Sequence, residues 1–165
     1  MSRLTLLILT LCLAPSLVMA QNAELELVGE ARLKVLFWPV YKSSLYSANG
    51  TYSEAQRPVR FEIQYLRDID AQELIEHTGN EWQQQRIPVQ QQQPWLQALS
   101  ELWPDVSKND VLTLYIDEQN KSTFYRNGTV LGSIDDAQFG QSFLDIWLST
   151  NTSRPQLRQS LLGLR

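Results

Sequence analysis

From Val59 onward the apolar residues change spacing in blocks, and the order of those blocks restricts the fold more than any other feature. Val59, Phe61, Ile63 and Tyr65 alternate with Arg60, Glu62 and Gln64, the period-two pattern of a half-buried strand. Two stretches of helical spacing follow, one carrying Leu74, Ile75, Thr78 and Trp82, the next Trp95, Ala98, Leu99, Leu102 and Trp103. Alternation returns over residues 111–117, 122–126 and 129–133, and two more helical stripes end the chain. Strands, two helices, strands, two helices is not a βαβ order. It predicts an α+β fold, an antiparallel sheet with helices packed on one face.

Upstream, residues 24–28 alternate weakly, as an edge strand does. Residues 31–38 form a better strand, with Leu33, Val35 and Phe37 opposed by Lys34, Leu36 and Trp38. Apolar residues on both of its faces imply cover on both sides. Pro39 marks a bulge or bend rather than a chain reversal, and residues 40–47 continue as strand. Asn49-Gly50 and Asn127-Gly128 are hairpin signals, the second of type I′.

Helix ends are written in capping residues. Asp70-x-x-Glu73, with Ile69 and Leu74 as a hydrophobic staple, opens the first helix, and Pro88 ends it. Gln90 to Gln93 read as a polar surface loop, and a second helix starts near Pro94 and stops at Pro104. A third, capped near Ser133 or Asp135, carries Phe139, Phe143, Ile146 and Trp147. Ser153-x-x-Gln156 opens a fourth, closed by Gly163.

The first twenty residues read as a cleaved secretory signal: Arg3, a short apolar run from Leu4 to Leu13, Pro15, and Val18-Met-Ala20 before Gln21. The run is shorter than the roughly 20 residues of a permanent span. Leu11 before Cys12 disfavours lipidation. Cleavage leaves residues 21–165 as one cysteine-free domain, stabilised by its core rather than by disulfides. The formal charge, −4, becomes −5 without Arg3. Such a chain lacks the basic footprint of a nucleic-acid binder. Four Asn-x-Ser/Thr triplets, at Asn49, Asn120, Asn127 and Asn151, read as turn chemistry rather than as glycan sites.

The hairpin and stripes of residues 124–163, with Val40-Tyr41-Lys-Ser-Ser-Leu-Tyr46 and Phe61-Glu-Ile-Gln-Tyr-Leu-Arg67, resemble the bacterial exported branch of the chalcone isomerase-like family. The resemblance runs from about Gly29 to Gly163. It implies a ligand cleft between sheet and helices, and residence in the periplasm of a Gram-negative bacterium. The family's isomerases use an arginine and a threonine on early strands, a tyrosine and an asparagine on the first helix, and a threonine on the late helix. Placed by that resemblance, these fall on Ala23 or Glu24, Leu36, the vicinity of Glu73, Asn80 and Ile146. Only Asn80 keeps its type. Loss of one oxyanion-type donor costs about 10²–10³ in rate, so the expectation is a noncatalytic protein with no catalytic residue.

No cofactor is implied, and no Cys/His/carboxylate spacing suits a metal. His77 is a lone histidine mid-helix, read as solvated. The expected ligand-binding residues are Leu36, Trp38, Tyr41, Asn80, Phe143, Ile146 and Trp147, with Phe139 on the same wall and Tyr65 or Tyr115 as alternatives for its polar end. The same stripe equally closes a core. Relatives in the plant branch bind fatty acids through an arginine and a tyrosine, which suggests an apolar ligand such as a fatty acid. Arg32, Arg60 and Arg67 lie near the sheet, and spacing assigns none of them. Two alternatives stand beside this reading: an isomerase or lyase of altered chemistry using Asn80, and an accessory protein that docks another exported protein through its sheet face or Gln90 to Gln93.

Overall fold

The computed structural model describes residues 24–164. The expected signal at 1–20, and Ala23, lie outside the described residues. Six strands, β1 (Glu26–Val35), β2 (Trp38–Ser47), β3 (Val59–Tyr65), β4 (Val111–Ile116), β5 (Ser122–Arg126) and β6 (Thr129–Ile134), form one antiparallel sheet in chain order. Helices α1 (Ala71–Gln84) and α2 (Val89–Leu102) separate β3 from β4, and α3 (Phe139–Leu148) and α4 (Pro155–Leu161) follow β6.

The α+β class follows from the alternation. On β2 to β5 the residues of one face, Leu45, Phe61, Leu114 and Phe124 among them, are buried beneath the helices. Lys42, Arg60, Glu62 and Thr113 face the other way and keep solvent contact. Above the buried face runs a chain of aromatic rings. Phe61 meets Trp147 at 4.8 Å, Trp147 meets Phe143 at 5.3 Å, and Phe143 stacks on Phe139 at 5.8 Å. Trp82 and Trp95 close on Phe139 edge-on. Edge-to-face pairs of this kind add about 0.5–1.5 kcal/mol each beyond the area they bury.

Several local expectations are corrected. Residues 24–28 and 31–38 are not two strands. They are one strand with a register shift between Leu27 and Gly29, and it ends at Val35. The chain reverses at Leu36-Phe37, so Pro39 sits inside β2 at a second irregularity, opposite Lys34. Gln90 to Gln93 are not a loop. They form the first turns of α2, with Gln92 buried and its amide donating to the Ile87 carbonyl at 2.6 Å. Glutamine is a good helix former, and the polar run hid a start five residues before Pro94, which lies within the helix.

Caps come from farther away than local motifs suggest. The Asp70 carboxylate makes no cap bond. Asp105 Oδ1 accepts from the Ala71 amide at 2.8 Å, brought there by the Ile69–Val106 bridge, and Glu73 pairs with Arg67 instead. Neither Ser133 nor Asp135 caps α3: Asp136 accepts from the Gln138 amide and, at 2.9 Å, from Trp95 Nε1. Ser153 donates to Glu81 rather than closing a box with Gln156. At the Asn127-Gly128 hairpin both residues have positive φ, 51° and 81°, as a type I′ turn demands. Asn49, Asn120 and Asn127 all use their side-chain oxygens in turn or loop hydrogen bonds, which accounts structurally for three of the four triplets.

Gly29 is required by contact. A Cβ there would lie 2.3 Å from the Ser160 carbonyl oxygen and 2.7 Å from that of Leu161. Helix α4 therefore docks directly on the β1 backbone, and its neighbour segment, including Arg154, is held over the sheet.

Candidate ligand cavity

A cavity of about 830 Å³ opens between the β1–β3 end of the sheet and helices α1 and α3. Its sheet wall is Leu33, Tyr41, Ile63 and Tyr65, which project inward because they share the buried face. Leu74, His77 and Thr78 of α1 supply a second wall, and Phe143, Ile146 and Trp147 of α3 a third. Leu36 and Trp38 stand at the rim.

At the inner end, Trp147 Nε1 donates to the Tyr41 hydroxyl at 2.8 Å. Burial pushes the Tyr41 phenol up to about 12, with the Trp147 bond opposing the rise. The group is therefore neutral at physiological pH. It accepts from Trp147 and keeps its own O–H to donate. Tyr65, 6.4 Å away ring to ring, is likewise driven upward by burial. Its hydroxyl makes no hydrogen bond among the described residues.

Charge at the cavity is uneven. Arg67, Lys108 and Arg154 line it, and Glu73, paired with Arg67, is its one carboxylate among the described residues. Arg154 acts electrostatically on Tyr41 and forms no ion pair among the described residues. Behind it, the buried Glu81 accepts from Ser153 Oγ at 2.9 Å and lies 3.7 Å from His77 Nε2. This contact ties α1 to the segment that carries Arg154.

Trp38, Tyr41, Phe143, Ile146 and Trp147 thus meet at one cavity, as the sequence suggests. Leu36 joins them from the hairpin turn rather than from a strand interior, which removes the footing for equating it with a strand threonine. Asn80 does not join them: it is exposed on α1 and lies off the cavity. Its neighbours Thr78 and His77 point to the cavity instead, because a helix turns about 100° per residue. Phe139 is wholly buried among the core rings. Of the two tyrosines considered, Tyr65 lines the cavity and Tyr115 does not. Arg67 lines it, whereas Arg60 sits over the Tyr46 ring on the opposite face. Arg154, Lys108, Thr78 and His77 were not legible as cavity residues. Arg154 reads locally as part of a helix start, and only α4 docking turns it inward.

Among the described residues no three His, Cys, Asp or Glu side chains group as metal ligands, and no helix is long and apolar enough to cross a membrane.

An open antiparallel sheet roofed by helices, with a ligand-sized cavity at one end, defines a chalcone isomerase-like architecture. The chain belongs to the chalcone isomerase-like family, which it matches over residues 13–163. It is similar to an uncharacterized protein of Haemophilus influenzae, 34% identical over 144 residues that make up 87% of this chain and 71% of the relative. Its fold is also that of the crystal structure of an Arabidopsis thaliana fatty-acid binding protein. The TM-score is 0.68 at 15% identity, covering 86% of this chain and 87% of the other.

Proposed function

We propose that this protein is an exported, noncatalytic binder of an apolar ligand ending in a carboxylate, a fatty acid being the simplest case. The observation that carries the reading is the cavity itself. At about 830 Å³ it falls within the roughly 300–1,000 Å³ typical of small-ligand sites, and its walls are mainly aliphatic and aromatic. Its few polar groups suit a carboxylate: the Tyr41 hydroxyl has a donor to spare, and the Arg154 guanidinium stands near it. The fold shared with a fatty-acid binding protein is consistent with this assignment.

The noncatalytic part rests on chemistry. Ile146 brings a hydrocarbon to the position where the family resemblance implies a threonine, and Asn80 points away from the cavity. Export rests on the character of the first twenty residues.

Native mass spectrometry of protein purified from the periplasm tests the reading. A bound fatty-acid-sized mass, with a rise in melting temperature on adding free fatty acid to delipidated protein, is the expected result. Protein that leaves the periplasm empty and shows no thermal shift with any lipid overturns it.

A further inference from the structure

The β1–β2 hairpin departs from the turn rules that the Asn127-Gly128 hairpin obeys. Leu36 occupies its first turn position at φ 56° while Phe37 is not at positive φ. That pattern fits a type II′ turn, in which glycine is favoured at the first position. At the Asn127-Gly128 hairpin the same protein uses the expected residues. Here it places leucine, phenylalanine and tryptophan in succession, exposed to 86%, 92% and 75%. Such residues help neither the turn nor the core, and a local rule broken without a folding benefit marks a functional segment.

Charge says what the tip meets. Leu36 and Trp38 form the rim of the same cavity that Arg67, Lys108 and Arg154 line, with Glu73 its one carboxylate among the described residues, and Lys34 lies opposite Pro39 at the base of the hairpin. An apolar tip with Lys34 at its base, at the rim of a cavity that Arg67 and Lys108 also line, on a chain that is acidic as a whole, fits a surface that is anionic outside and hydrocarbon inside. We propose that the Leu36-Phe37-Trp38 tip inserts into the interface of an anionic lipid bilayer and sets the cavity mouth against it. Tryptophan at the edge of such a tip suits the headgroup level, where its ring is half wet.

This inference does not depend on what fills the cavity. Fatty-acid binding without vesicle association would remove it and leave the cavity reading intact.

Trp38 provides the probe. Trp82, Trp95, Trp103 and Trp147 are buried, but Trp103 and Trp147 line the cavity, so the signal read is the difference between the wild type and Trp38→Phe. The full mature chain is mixed with phosphatidylcholine vesicles, with and without one-quarter phosphatidylglycerol. The expected result is a blue shift with the anionic vesicles and quenching by acyl-brominated lipid. Phe37→Ser then weakens vesicle partitioning about tenfold or more, the consequence of withholding one large apolar side chain. Leu36→Asn, which suits the positive φ and so keeps the fold, reduces partitioning in the same direction. No blue shift, equal shifts with both vesicle types, or unchanged partitioning of Phe37→Ser overturns the proposal. Concentration-dependent dimerisation that shields Trp38 without lipid also overturns it, by assigning the tip to a second copy of the chain.

Discussion

Trp147 on α3 donates its indole N–H to the hydroxyl of Tyr41 on β2, 2.8 Å away and 106 residues earlier in the chain. This one bond joins the helical layer to the sheet at the inner end of the cavity and orients the phenol. Replacing Trp147 with phenylalanine keeps an aromatic ring beside Phe61 and Phe143 but removes the donor. The variant should lose about 1 kcal/mol of stability in urea denaturation. The Tyr41 phenol should also titrate higher than in the wild type, since the bond opposes the effect of burial. Unchanged stability and titration would mean the bond does not form.

The raised Tyr41 value has a pH consequence. Its folded pKa, about 12, exceeds the ordinary tyrosine value of 10.0. The contribution to stability is complete below pH 10 and is lost as pH rises toward and through 12. Tyr41→Phe should flatten that alkaline decline, measured as the urea midpoint against pH.

Asp110 behaves in the opposite sense. Its carboxylate accepts from Asn127 Nδ2, from the Ser107 amide and from Arg126, which together hold it down near 2. The stabilisation is present above the ordinary value of 3.8 and disappears as pH falls through about 2. Carbon-detected NMR titration should find this carboxylate still ionised at pH 3. Asp110→Ala should cost about 2 kcal/mol at neutral pH, where charge-assisted bonds to the turn are lost.

Gly29→Ala tests the docking of α4. The new methyl group would meet two backbone carbonyl oxygens that cannot swing aside. A loss of about 2 kcal/mol or more is expected, within the range for overpacking, with faster amide exchange in Pro155–Leu161. Wild-type stability would place α4 elsewhere.

Much of the architecture is legible in the sequence, because burial on one face imposes its period on the residues. Val59, Phe61, Ile63 and Tyr65 fall on the buried face as their alternation requires, and Asn127-Gly128 turns the chain where it should. The failures have physical causes. Leu36-Phe37 has no turn chemistry, so a continuous strand was the natural reading. Gln90 to Gln93 have helix propensity without an apolar stripe, so their polarity reads as a loop. The Ala71 amide is capped by Asp105, 34 residues away, a partner that local spacing does not reveal.

The cavity was only half legible for the same reason. Phe143, Ile146 and Trp147 share a helix stripe, so their common face could be inferred. Arg154, His77 and Thr78 reach the cavity through packing of α1 and α4, and no periodicity announces that. Asn80 illustrates the limit of residue-by-residue transfer, since a shift of two positions on a helix moves a side chain to the other face.

Calorimetric titration of a long-chain fatty acid, and of its methyl ester, into delipidated protein tests the central claim most directly. One saturable site that prefers the acid, with the preference lost in Arg154→Ala, is the predicted result. No saturable binding of either compound, in a protein that remains folded, would contradict it.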